Sequence, residues 1–213
     1  MEESTLGRRE ENKQRTRSAL ERAAAQLFEE QGFGATTVRD IAAAAGVGER
    51  TFFRYFPSKE DLVLQEARDL IPAVMEWVRK RPADESLYTA FCEAMVDWLT
   101  ETNTTPTILI SGAPKIDGRH EDGVRSLEKE LEDAVTQAFL DRLEATGADR
   151  GDRLTLLRAT VQARAGVSAV RGMVMASKAA RCEEGAPDPE PVRASTIEEL
   201  KAQLREAFAM LEP

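Results

Sequence analysis

The stretch from Thr36 to Leu62, Thr-Thr-Val-Arg-Asp-Ile-Ala-Ala-Ala-Ala-Gly-Val-Gly-Glu-Arg-Thr-Phe-Phe-Arg-Tyr-Phe-Pro-Ser-Lys-Glu-Asp-Leu, leaves few folds open. Thr37 is placed to cap a helix, and Asp40, three residues on, to reach back to it. Ile41, Ala42 and Ala45 fall on one face at helical spacing. Gly46-Val47-Gly48 then turns the chain. Phe52 and Phe56 lie four apart on the next helix, whose other side carries Arg50, Thr51, Arg54 and Tyr55. Ser58 with Asp61 opens a third helix after Pro57. A small-residue helix, a Gly turn and a helix displaying Arg, Thr and Tyr is the pattern a DNA-reading helix-turn-helix requires.

The rest of the chain also reads as helix. Helix 1 is expected over about 12–31, with Leu20, Ala23, Ala24, Leu27 and Phe28 as its stripe and Gly32 as its stop. Residues 1–11 are expected to be a charged, disordered arm. Helices 2 and 3 are expected at 38–45 and 49–56, and helix 4 runs to about 81 with a kink at Pro72. Helix 5 covers about 85–102. Residues 105–110 have no partner strand and read as a short helix, and 112–122 as irregular chain. Helix 7 ends near 146, helix 8 runs from the Asp152 cap to about 181, and helix 9 follows a capping box at Ser195. No strand and no internal repeat is evident. The expected fold is all-α, with about nine helices: a three-helix helix-turn-helix unit at 1–57 and a larger helical body at 58–213.

The net charge of −9 argues against indiscriminate nucleic-acid binding. The charge is uneven. Residues 1–66 hold 10 Lys and Arg against 12 Asp and Glu, while the remainder holds 19 against 26. Arg39, Arg50, Arg54 and Lys59 cluster around the third helix, so an acidic body carries one basic end, which orients an approach to DNA. No apolar run nears the roughly 20 residues of a membrane span, and no signal core opens the chain. A cytoplasmic, nucleoid-associated protein is expected. Cys92 sits in an apolar helical stretch as a core residue, and Cys182 ends a helix. The two lack metal-ligand spacing. His120 is the only histidine, and there is no P-loop or dinucleotide fingerprint. No catalytic residue, metal or cofactor is therefore expected, and the chain does not read as an enzyme.

Thr36-Thr37, Ile41-Ala42, Ala45-Gly46-Val47, Thr51 to Phe56 and Ser58 to Leu62 together resemble the signature of the tetracycline-repressor-like (TetR) family of bacterial transcriptional regulators, over roughly residues 12–65. The resemblance implies that Glu49, Arg50 and Phe53 meet bases. It implies that Thr37, Thr51, Arg54, Tyr55 and Lys59 grip phosphates, with Arg39 serving either role. It implies binding to a palindromic double-stranded operator by a homodimer. Two positions depart from the pattern: Gly48 replaces a stronger Ser or Thr cap, and Phe53 stands where Tyr is frequent.

A cavity for a hydrophobic or acyl-type effector is implied in the body, with Trp77, Phe91, Met95, Trp98, Leu99, Ile108, Phe139 and Arg164 as its expected lining. The phrase Arg81-Pro-Ala-Asp-Glu85 is similar to a branch of the family that takes acyl-coenzyme A-like ligands. Arg158, Arg164 and Arg171 punctuate helix 8, where an arginine suits a ligand carboxylate or phosphate. Ala163, Gly166, Ala169 and Gly172 allow a close helix approach. With the apolar stripe of helix 9 they point to a dimer through helices 8 and 9. Two other readings stay open at this stage. One is an all-α small-molecule-binding protein or enzyme with a non-functional reader; the other is a protein-interaction module.

Overall fold

Large apolar side chains gather into two clusters, and the helices are arranged to enclose them. The computed structural model describes residues 3–102, 106–111, 121–183 and 197–211. Among these residues there are nine α-helices and no strand: α1 (Glu3–Ala35), α2 (Val38–Ala44), α3 (Glu49–Tyr55), α4 (Lys59–Lys80), α5 (Leu87–Thr102), α6 (Thr107–Ser111), α7 (Glu121–Ala145), α8 (Arg153–Glu183) and α9 (Ile197–Ala209). The expected all-α class is what the chain adopts. None of these helices is long and apolar enough to cross a membrane.

The first cluster is the core of the N-terminal head. Leu20, Ala24 and Phe28 of α1 pack on Ile41 of α2, Phe52 of α3, and Leu62 and Val63 of α4. The head core thus extends past Pro57 into the first turn of α4. α1 starts at Glu3, so the expected disordered arm is replaced by helical backbone; Glu and Arg, which dominate this segment, are good helix formers. Gly32 interrupts α1 with φ 81°, a conformation that favours glycine, at the expected stop.

The second cluster fills the body. α5 is its axis: Leu87, Ala90, Phe91, Cys92, Met95, Trp98 and Leu99 are all buried, because α4, α8 and α9 pack around it. α4 continues through Pro72, which lies on its exposed side. At its C-terminal end the buried guanidinium of Arg142 (α7) donates to the carbonyls of Arg81 at 2.7 Å and Pro82 at 2.6 Å, with longer bonds to Val78 and Glu85. Arg81 is paired with Glu85 and Asp97. These contacts raise its pKa, the Glu85 hydrogen bond most of all. The Arg81–Glu85 phrase therefore fastens α4 to α5 and α7.

Two expectations about the subunit surface are corrected. The apolar stripe of α9 is spent within the protomer: Leu200, Leu204 and Phe208 are buried against α5 and α8, and Phe208 meets Phe91 edge-on at 5.4 Å. Of the small residues of α8, Ala163 and Gly166 also face inward. Ala163 is buried, and a Cβ on Gly166 would lie 3.0 Å from Phe91. The opposite side of α8 carries the exposed Leu154, Leu157, Val161 and Met175, and a Cβ on Gly172 meets open space. The Ser195 cap, His120 and the side chain of Cys182 lie outside the described residues.

Candidate nucleic-acid interface and ligand cavity

The head is built locally, one cap and turn at a time. Asp40 N–H donates to Thr37 Oγ1 at 3.2 Å while Thr37 N–H donates to Asp40 Oδ2 at 3.0 Å, so the capping box is complete. The Thr37 hydrogen bonds hold the Asp40 carboxyl below its ordinary pKa. Gly46, at φ 70°, closes α2: its N–H donates to Ala43 and that of Val47 to Ala42, satisfying the helix's last carbonyls. Gly48 begins α3 without a side-chain cap.

This turn directs α3 so that Phe52 is fully buried and meets Phe56 at 5.8 Å. The outward side of α3 carries Glu49, Arg50, Phe53 and Arg54, with Thr51 and Tyr55 half-buried beside them. Phe53 is 52% exposed, with its ring edge-on to Phe52 at 5.5 Å. The Arg54 guanidinium lies 5.2 Å from the Tyr55 ring centre. Arg39 on α2 is exposed on the same unit. Eight of the nine expected DNA-facing residues are thus half-buried or exposed around α2 and α3.

Lys59 is the ninth, and its ammonium is engaged elsewhere. It donates to the carbonyls of Phe33 at 2.7 Å and Thr36 at 2.8 Å, and lies 4.3 Å from the Phe33 ring centre. The first residue of α4 is thereby riveted to the turn between α1 and α2. The partners lie 26 and 23 residues back, so local pattern carried no sign of them.

Between α4, α5, α6, α7 and α8 lies a half-open cavity of about 180 Å³ with an almost wholly apolar wall. Phe91, Met95, Trp98, Leu99 and Ile108 line it. Trp77, Phe139 and Arg164 do not. Trp77 sits a turn beyond Val74, the last α4 residue on the wall. Phe139 is fully buried and packed edge-on against Phe91. Arg164 is exposed and paired with Glu132. The wall also includes Leu70, Ile71 and Val74 of α4 and Leu127 and Leu131 of α7, whose helical stripes were visible in the sequence but did not distinguish cavity from core. The ionisable residues on the wall are Glu128 and Arg171, 3.4 Å apart.

Two elements belong to both sites. α4 has Leu62 and Val63 in the head core and Leu70, Ile71 and Val74 on the cavity wall. α6 has Ile108, which packs against the head core and lines the cavity. Glu66 of α4 accepts the N–H of Thr107 at 3.3 Å and so holds α6 to α4. Burial pushes the Glu66 carboxyl above its ordinary pKa, with the charge of Glu21 on α1 adding to the effect and the Thr107 bonds opposing it.

A family model described as bacterial regulatory proteins, tetR family, matches residues 21–65, the span of the head from α1 to the start of α4. The HTH-type transcriptional regulator TcmR of Streptomyces glaucescens is 42% identical over 80 residues, 38% of this chain and 35% of TcmR. The HTH-type transcriptional repressor KstR2 of Rhodococcus jostii is 31% identical over 104 residues, 49% of this chain and 45% of KstR2. The similarity thus spans between about a third and a half of the length of these curated relatives. In fold, the chain is similar to FadR of Thermus thermophilus, a TetR-family transcriptional repressor solved with lauroyl-CoA, at a TM-score of 0.54 and 22% identity over 92% of this chain and 95% of FadR. Residues 21–65 thus match the model of the tetR family of bacterial regulatory proteins, and along nearly its whole length the chain is similar in fold to FadR.

Proposed function

We propose that this protein is a homodimeric, operator-binding transcriptional repressor that an apolar or amphipathic small molecule releases from DNA. The head, residues 1–57 with the first turn of α4, reads the operator, and residues 58–213 hold the effector and the subunit contact. Arg50 serves base readout through a guanidinium fork suited to guanine. Glu49 and Phe53 adjoin the bases, while Thr37, Arg39, Thr51, Arg54 and Tyr55 meet phosphates. Two copies of α3 enter successive major grooves. The outer stripe of α8 is the subunit contact, since Leu154, Leu157, Val161 and Met175 form an apolar face exposed in the single chain.

The observation that carries the regulatory part is Ile108, which touches the head core with the same side chain that lines the cavity. A ligand there acts on the head through one residue rather than through a long chain of contacts. Release requires the ligand to bind the two placements of the head unequally.

The test begins with selection of genomic DNA fragments on the purified protein, which should recover an inverted repeat with two half-sites. Recovery of sequences without a shared motif would refute operator reading. Dodecanoyl-coenzyme A, a ligand class taken by the Thermus FadR, and octanoate are then titrated with and without saturating operator. An inducer binds more weakly to the operator complex by the same factor by which it weakens operator binding.

A further inference from the structure

The size of the cavity and the single charged pair on its wall constrain the effector beyond "apolar". A cavity of about 150 Å³ lined by Leu, Ile and Phe is known to stay dry and hold benzene. At about 180 Å³, this one takes a body of roughly six to eight non-hydrogen atoms. Pockets that take in drug-sized molecules start at about 300 Å³, so most of a long acyl chain would have to lie outside these walls as they stand.

At the rim, Arg171 of α8 reaches Glu128 of α7 through one nitrogen, Nη1, at 3.4 Å. That is a long, single-point contact, and the side chains are 58% and 33% exposed. Such a pair is held weakly. A guanidinium presents five donors in a fork that matches a carboxylate, so the Nε and Nη2 edge of Arg171 remains to receive one. Glu128, one-third exposed, returns to water at little cost. A molecule whose apolar end is seated among Ile71, Val74, Met95, Leu127 and Val170 would carry its polar end to this rim.

We infer that the cavity selects a compact organic anion: a carboxylate on an apolar body of about six to eight non-hydrogen atoms, gripped by Arg171 in place of, or beside, Glu128. Arg171, not Arg164, is the specificity-determining arginine of α8. The inference rests on the reading of the body as an effector domain and narrows its ligand class.

The probes are butanoate, octanoate, dodecanoate and octadecanoate, with octan-1-ol and octylamine as uncharged and cationic matches, titrated calorimetrically into the full chain. Octanoate should bind roughly tenfold tighter than butanoate or octadecanoate, and roughly fivefold tighter than octanol. Arg171→Gln should bring octanoate to the level of octanol and leave octanol unchanged. Glu128→Gln should tighten octanoate. Octadecanoate binding as tightly as octanoate, octylamine binding tightest, an undiminished octanoate preference in Arg171→Gln, or no binding of any probe would each overturn the inference. The two readings separate in a parallel operator assay. Octanoate that binds without releasing DNA would refute ligand-induced release and leave the cavity assignment. Octadecanoate that binds and releases DNA would do the reverse.

Discussion

Leu157→Glu on the outer face of α8 should convert the proposed dimer to monomer without unfolding the protomer. Leu157 is 51% exposed in the single chain, so about half of its side chain remains to be covered by a partner. Full burial of a leucine stabilises by about 1.5–3 kcal/mol, so half is about 1 kcal/mol, and a twofold contact counts it twice. Replacing it with glutamate adds the cost of taking a carboxylate out of water opposite an apolar face, which is several kcal/mol if the charge stays and less if it takes up a proton. A combined loss of at least about 4 kcal/mol corresponds to roughly a thousandfold in dissociation constant. Sedimentation velocity at micromolar concentration should then show a monomer, while the far-ultraviolet spectrum and melting temperature stay close to those of the unmodified chain. Leu204→Glu is the control. Leu204 is 0% exposed within the protomer, so its replacement should unfold the body rather than separate subunits. A Leu157→Glu protein that remains dimeric with an unchanged dissociation constant would refute the assignment of this face.

Four further outcomes are expected. Arg50→Ala should cost about 1–3 kcal/mol on the selected operator and relax preference at one base position per half-site, measured by competition with single-base variants. Lys59→Ala removes two ammonium–carbonyl bonds, worth about 1.5–3 kcal/mol each when charge-assisted, and should lower the urea midpoint while leaving the slope of log K against log salt unchanged; a slope flatter by about one would restore a phosphate role. Burial raises the Glu66 pKa above its ordinary 4.5. The folded state therefore holds its proton more firmly than the unfolded chain, and the destabilisation is full above the raised value and fades as pH falls toward 4.5. Glu66→Gln, which keeps an acceptor for Thr107, should accordingly raise the melting temperature at pH 7, with the gain shrinking on acidification. Arg142→Met leaves the carbonyls of Arg81 and Pro82 without donors and should destabilise by roughly 3 kcal/mol in urea unfolding, with Arg142→Lys recovering only part because it lacks the fork.

The head was legible because its determinants are local. The Thr37–Asp40 box, the Gly46 turn and the four-residue spacing of Phe52 and Phe56 each lie within a few residues of sequence and admit one geometry. What failed depended on register between distant helices. Periodicity says that Leu131 and Phe139 face inward from α7, but not that one meets a void and the other meets Phe91. Arg164 and Arg171 are seven residues apart on similar faces of α8, each paired with a glutamate of α7, and only the Arg171–Glu128 pair lies on the cavity wall. The stripe of α9 is equally consistent with cover from its own body or from a second copy. The body takes it, because α5 carries a broad apolar face that needs covering there.

The same division bears on how a cavity in the body reaches a reader in the head. A coupling element must belong to both packed clusters, and α4 meets that condition along a continuous helix. From Val63 in the head core to Leu70 on the cavity wall is seven residues, about 10 Å of helix. Over so short a length a helix moves as a unit, so a displacement at Leu70, Ile71 or Val74 is delivered to Leu62 and Val63. Lys59 extends this grip to the α1–α2 turn through two carbonyls, so α4 cannot tilt without carrying the turn that precedes α2. Ile108 and the Glu66–Thr107 bond tie α6 to the same movement. In a dimer whose α3 helices must match major grooves about 34 Å apart, even a small tilt of each head is registered twice. Ligand affinity alone does not produce that tilt. A molecule bound equally well at both placements of α4 shifts nothing, so in the proposed repressor the contacts that would decide induction are those on Leu70, Ile71, Val74 and Ile108, the wall residues whose elements enter the head.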